Sequence, residues 1–174
     1  MMVEDGMEAK IKTASATDIF QDLSPEELEL VAVTMEPLKF EGGDVIMKEG
    51  EMGGAMYFIA EGEVEVHKAL TMKFGQDDFR ETEKTLSVLK QSDHAVFGEM
   101  ALVAELERSA TVTARTDTTL YQIDRESFLE LARQNPSLGF KVTLRLAELL
   151  SNRLKKSGED VIRLTTALSI ALSQ

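Results

Sequence analysis

The chain is expected to fold as a mainly β domain with flanking helices, a double-stranded β-helix or jelly roll followed by a long C-terminal dimerisation helix. Three observations predict this. Short β-rich runs punctuated by glycine fill the middle of the chain, a capped helix start precedes them, and an almost unbroken helical pattern follows them. Residues 1–16 are small, polar and weakly periodic, so they are read as a loose N-terminal arm or a short frayed helix. Residues 17–134 form the roll with its flanking helices, and residues 135–174 the dimerisation helix.

Taken in order, Ser24-Pro25-Glu26-Glu27 places a hydroxyl at the N-cap, a proline at the first helical position and a Glu three residues after the cap. A short helix starts there. From Pro37 the rhythm changes to strands at Leu38 to Phe40, Val45 to Lys48, Met56 to Ala60 and Val64 to Lys68. Val64-Glu65-Val66-His67 alternates as a half-buried strand does, whereas Met56-Tyr57-Phe58-Ile59 is apolar throughout and suits a strand covered on both faces. Phe74 to Glu83 is polar and reads as a long hairpin tip. Strand character resumes at Thr85 to Leu89, Ala110 to Ala114 and Thr119 to Ile123, about eight strands in all.

Asp124 is the expected N-cap of a helix through Arg133, and Asn135-Pro136 the start of another running toward Leu172. In that helix Thr143, Ala147, Leu150, Leu154, Ser157, Val161, Leu164, Leu168 and Ala171 alternate by four and three, the seam of a coiled coil. At roughly 50 Å it is longer than so small a domain can cover, so its expected partner is the same helix of a second copy, in a parallel two-fold dimer. Ser157 is the polar position in the seam, and Gly158 beside it costs about 1 kcal/mol relative to alanine in a helix.

Composition removes several function classes. With 31 acidic and 19 basic residues the net charge is −12, the wrong sign for gripping nucleic acid through its phosphates. The absence of cysteine excludes disulfides, thiolate metal clusters and cysteine nucleophiles, and fits a reducing, cytoplasmic setting. His67 and His94 are the two histidines, too few for a histidine-rich metal site, and neither is assigned a ligand role. No apolar run reaches the length of a membrane span and no leader pattern opens the chain, so no membrane partner is expected.

The chemistry is concentrated in Phe97-Gly98-Glu99-Met100-Ala101-Leu102-Val103-Ala104-Glu105-Leu106-Glu107-Arg108-Ser109-Ala110-Thr111-Val112. Arginine offers two phosphate oxygens a planar fork of donors and stays charged when desolvated, so Arg108 is the natural phosphate anchor. An ionised glutamate only accepts hydrogen bonds, which turns Glu99 toward a sugar hydroxyl on the other side of the same ligand. Gly98, Ala101, Ser109 and Ala110 lack bulk and admit main-chain N–H groups, Ser109 adds a hydroxyl, and Glu99 to Ala104 can form a short helix whose N-terminus favours an anion. The segment reads as a site for a small anion that also carries a hydroxyl.

This run resembles the phosphate-binding cassette of the cyclic nucleotide-binding domain family, which includes catabolite-activator-type regulators and kinase regulatory subunits. Val45-Ile46-Met47-Lys48-Glu49-Gly50-Glu51, Met56-Tyr57-Phe58-Ile59 and Gly62-Glu63-Val64 are similar to that family's first strands, and Leu146-Ala147-Glu148 with Arg153-Leu154 to its C-terminal helix. The resemblance runs from about Asp18 to Val161. It implies a 3′,5′-cyclic nucleotide, cyclic AMP or cyclic GMP, as ligand and no cofactor or catalysis. Glu99 is implied on the ribose 2′-hydroxyl and Arg108 with Ser109 on the cyclic phosphate. Main-chain groups at Gly98, Met100 and Ala101 complete the cradle, and Ser157 matches a hydroxyl that touches the base. His94-Ala95 stand where the family has Gly followed by an acid, implying a different approach turn, and Glu105 and Glu107 add negative charge to the cassette. No helix-turn-helix of roughly 60 residues follows the helix, so the expectation is a sensory domain signalling to an effector protein. The rival expectation is a degenerate roll acting as a dimeric interaction module without ligand. A cupin-type metal enzyme is disfavoured because histidines and carboxylates do not cluster.

Overall fold

The computed structural model describes residues 2–73 and 79–173. The expected hairpin tip at Phe74 to Glu83 therefore lies partly outside the described residues; its flanking strands pair up to Lys73 opposite Phe79. Ten strands are formed among the described residues: β1 (Glu36–Phe40), β2 (Val45–Met47), β3 (Met52–Gly53), β4 (Ala55–Glu61), β5 (Glu63–Lys73), β6 (Phe79–Lys90), β7 (Val96–Phe97), β8 (Leu106–Glu107), β9 (Thr111–Ala114) and β10 (Thr118–Asp124). They make two four-stranded antiparallel sheets, β1-β10-β4-β7 and β2-β9-β5-β6, with β3 and β8 paired separately. This is the jelly roll the sequence predicts, flanked by helices α1 (Met2–Ala16), α2 (Pro25–Thr34), α3 (Met100–Val103), α4 (Arg125–Gln134) and α5 (Pro136–Leu172).

The period-2 geometry of β4 divides the core. Met56 and Phe58 face the helices, packing with Phe20, Leu131 and Leu138, whereas Tyr57 and Ile59 face into the roll with Val64, Phe97 and Leu120. A strand covered on both faces needs an apolar residue at every position, which is why its sequence does not alternate. Phe20 stacks on Phe58 with ring centroids 5.3 Å apart, tying the 3-10 turn between α1 and α2 (Asp18–Phe20) to the sheet. Such a stacked aromatic pair adds to the area it buries.

Helix α2 begins with the complete capping box: Glu27 N–H donates to Ser24 Oγ, and Ser24 N–H to the Glu27 carboxylate. Two local expectations change. Residues expected to be a loose arm or frayed helix form the 15-residue α1, held by the fully buried Ala14; a small residue making the contact leaves no apolar stripe to detect in the sequence. Asn135 does not cap α5 with its side chain. Its Nδ2 instead donates back to the Leu131 carbonyl, closing α4, while Asp124 caps the start of α4 through Ser127 N–H.

Helix α5 has 37 residues. At the rise of an α-helix it is about 55 Å long. Its first half packs on the domain through Leu138, Val142 and Leu146, and Gly139 lets it approach α4 so closely that a Cβ there would lie 2.7 Å from Ala132 Cβ. From residue 151 to 173 every position is exposed in the single chain.

Candidate functional site

A cavity of about 340 Å³ opens between the second sheet, the β7–α3 segment and α5. Gly98, Glu99, Met100, Ala101, Arg108, Ser109 and Ala110 all line it. Ser157 does not, and is exposed. Successive residues of a helix point in different directions, so the side of α5 facing the cavity belongs to Arg153 and Lys156 while Ser157 points away with the seam.

Arg108 directly follows β8, where its N–H donates to Glu51 O (2.8 Å) and its carbonyl accepts from Gly50 N–H (2.9 Å). These bonds extend the β3–β8 pairing and aim the side chain inward. The residue is 9% exposed. Its Nη1 donates to the Ala55 carbonyl (2.9 Å) and to that of Gly98 (3.4 Å), and its Cζ lies 5.6 Å from the Tyr57 ring centroid. At that distance the ring face attracts the cation. Two glycines make room for it. A Cβ on Gly53 would overlap Nε and Cζ, and one on Gly98, whose φ is +73°, would come within 2.7 Å of Nη1. The left-handed backbone at Gly98 is itself a conformation that glycine adopts without steric cost. Among the described residues Nε and Nη2 make no hydrogen bond, and no carboxylate lies within 4 Å of the guanidinium.

Glu99 precedes α3, a single turn in which Ala101 N–H closes back on the Gly98 carbonyl (3.1 Å) and is committed there. The Glu99 side chain is 5% exposed and accepts from Arg153 Nη1 at 2.5 Å, while Arg153 Nη2 donates to the Val96 carbonyl (3.1 Å). A charged donor on the long helix thus satisfies the buried carboxylate. The approach turn before β7 is held by His94, which takes a left-handed φ of 47°.

The cavity carries two carboxylates, Glu99 and Glu107, and three cations, Arg108, Arg153 and Lys156. Sequence reasoning assigns no role to Arg153 or Lys156. A signal is present, since they lie four and one residues before Ser157 on the same helix, and positions three apart share a helical face.

Fold and site define a jelly-roll domain with a receptor cleft built around one buried arginine. The sequence model described as the cyclic nucleotide-binding domain matches residues 37–135. The chain belongs to the cyclic nucleotide-binding domain family. It is 35% identical over 139 residues to a cyclic AMP receptor protein from Thermus thermophilus, covering 80% of this chain and 58% of that one. It is also 34% identical over 113 residues to a cAMP-dependent protein kinase regulatory subunit from Dictyostelium discoideum, covering 65% of this chain and 32% of that protein. Among solved structures, the catabolite activator protein of Thermus thermophilus superposes with a TM-score of 0.71 at 34% identity, covering 86% of this chain and 63% of that one. A cyclic nucleotide-binding domain from Methylobacillus flagellatus gives 0.72 at 25% identity, covering 90% and 82%. The chain therefore spans less than two thirds of the curated relatives it matches.

Proposed function

We propose that this chain is a non-catalytic cyclic nucleotide sensor that signals through a dimeric C-terminal helix. The observation that carries the reading is Arg108: a buried guanidinium with no carboxylate partner among the described residues, facing a cavity with Nε and Nη2 uncommitted. A charge so placed is costly unless an anion completes it, and two parallel N–H donors fit two phosphate oxygens. Ser109 and the small Gly98 and Ala110 border the same phosphate, with the main chain at Met100 beside it, whereas the Ala101 N–H is already held by the Gly98 carbonyl. Glu99 accepts from the ribose 2′-hydroxyl. The Arg153–Glu99 pair connects that event to α5, and the exposed seam residues of α5 meet those of a second copy, where Ser157 reaches the base only within the dimer.

Calorimetric titration of cyclic AMP and cyclic GMP tests the site. Arg108→Ala removes two charged hydrogen bonds of about 1.5 kcal/mol each, so affinity falls roughly hundredfold. A second reading, a ligand-free dimeric interaction module, is favoured by Glu107, an acidic residue in the lining of the cavity, since a carboxylate near a phosphate repels it. Heat from neither nucleotide selects it.

A further inference from the structure

With phosphate assigned to Arg108 and ribose to Glu99, the lining left for the base includes apolar residues from the sheet, Met47, Val66 and Leu89 among them, the polar Ser87 and Glu107, and Lys156 from α5, the cation not yet given a role. A purine stacks its face on apolar groups and leaves its edge to polar ones. Three residues past Arg153, Lys156 is about 4.5 Å further along the helix. It therefore stands beyond the ribose-binding pair on the cavity side. Glu159 and Asp160 follow it at helical spacing, yet among the described residues no carboxylate lies within 4 Å of its ammonium.

We propose that Lys156 reads the base edge and makes the site select guanine over adenine, an inference that rests on the nucleotide reading of the cavity above. The reason is the donor and acceptor pattern. An ammonium has three donors and no acceptor. Guanine presents two adjacent acceptors, O6 and N7, whereas adenine presents N7 beside the N6 amino donor, which an ammonium opposes. The same lysine that grips one edge therefore rejects the other.

The test titrates cyclic GMP, cyclic AMP and cyclic IMP into the full chain and into Lys156→Met and Lys156→Glu. Cyclic IMP keeps O6 and N7 but lacks the guanine N2 amino group, so it isolates the edge in question. In the wild type, cyclic GMP and cyclic IMP bind about tenfold more tightly than cyclic AMP. Lys156→Met keeps the aliphatic stem and brings the ratio to about one, and Lys156→Glu, an acceptor for N6, reverses it. Any effect of charge on the phosphate is common to the three nucleotides and cancels in the ratio. Lys156 is exposed, so all variants melt with the wild type. Equal wild-type affinities, a ratio unmoved by Lys156→Met, or cyclic IMP as weak as cyclic AMP overturns the assignment while binding itself stands. Heat from none of the three overturns the binding reading and this inference with it.

Discussion

Gly53→Ala separates the anion site from the fold. The guanidinium of Arg108 is wedged between two glycines: a methyl at position 53 overlaps Nε and Cζ and lies 2.7 Å from Cδ, and on the far side the Cβ position of Gly98 is 2.7 Å from Nη1. The clashing atoms are the flexible end of the Arg108 side chain, which is held between position 53 and the Ala55 and Gly98 carbonyls, so it gives way by swinging out. In doing so it gives up the Ala55 and Gly98 carbonyls and no longer faces the cavity. The predicted loss of nucleotide affinity matches that of Arg108→Ala, about 3 kcal/mol or roughly hundredfold. The effect on stability is smaller. Position 53 requires no left-handed backbone, and its two-residue strand is not buried. The displaced charge reaches water, leaving one carbonyl without its donor at about 1 kcal/mol. Melting therefore drops by about 2–4 °C. Titration of wild type, both single variants and the double variant is the assay, because two changes acting through one guanidinium cannot add. Gly53→Ala binding within twofold of wild type, or a double variant much weaker than Arg108→Ala, would refute the wedge.

Leu154→Glu is expected to give monomers in sedimentation velocity with an unchanged circular dichroism spectrum, since Leu154 is 75% exposed in the single chain and supports no core; a dimeric variant rules out the seam. Asp124→Asn tests the α4 cap. The Ser127 hydroxyl, then the Ser127 N–H, hold the Asp124 carboxyl below the usual carboxylate range against a smaller opposing effect of burial. A folded-state pKa below the unfolded one means stability that is present above about pH 4 and lost as pH falls through the folded value. The wild type therefore loses melting temperature on acidification below about pH 4 more steeply than Asp124→Asn, which keeps a cap acceptor without a titrating group. Asp22 and Glu27, lowered by Arg145 and Lys141, titrate in the same window in both proteins. Parallel acid slopes count against the cap. Arg153→Met leaves the Glu99 carboxylate buried and unpaired and destabilises by about 2 kcal/mol, below the roughly 3–5 kcal/mol of a fully buried pair. The discount follows from Arg153 being 47% exposed and screened. Adding Glu99→Gln recovers part of the loss, and additive thermal shifts would show that the two do not interact.

What is legible in the sequence is local. The Ser24 capping box is written in four consecutive residues, and β4 announces two covered faces by four consecutive apolar ones. The run from Gly98 to Ala110 displays Glu99 and Arg108 together because they lie nine residues apart in one continuous stretch of chain. The illegible parts depend on distance or brevity. Strands β3, β7 and β8 have two residues each, too few for any period to show. The partner of Glu99 comes from 54 residues away, and the guanidinium of Arg108 rests on the Ala55 carbonyl 53 residues away. Resemblance alone places Ser157 at the base, but which face of α5 meets the cavity is fixed by packing at Leu138, Val142 and Leu146, well before it.

That packing also determines what a ligand can move. Lys141 pairs with Glu27 at 2.7 Å and Arg145 grips Asp22 through two bonds of 2.6 and 2.9 Å, so the first half of α5 is fastened to the N-terminal helical segment. Among the described residues Arg153 is the residue of α5 that bonds to the lining of the cavity, through Glu99 and the Val96 carbonyl, and beyond it the helix is exposed. In the proposed function, a ribose hydroxyl competing for Glu99 would therefore act on the last attachment and leave the earlier two in place. The leverage is bounded, because a ligand shifts an equilibrium only by its difference in affinity for the two arrangements. If the pair is worth about 2 kcal/mol, releasing it changes the balance by roughly thirtyfold, short of the about 5.5 kcal/mol that carries a population from 1:99 to 99:1. In the proposed dimer two such attachments act on one pair of helices, about 4 kcal/mol together, and a base contact from α5 supplies the remainder. A helix pair that switches nearly completely thus requires both copies and both ends of the ligand, whereas a monomer made by Leu154→Glu binds nucleotide with only a partial change in its helix.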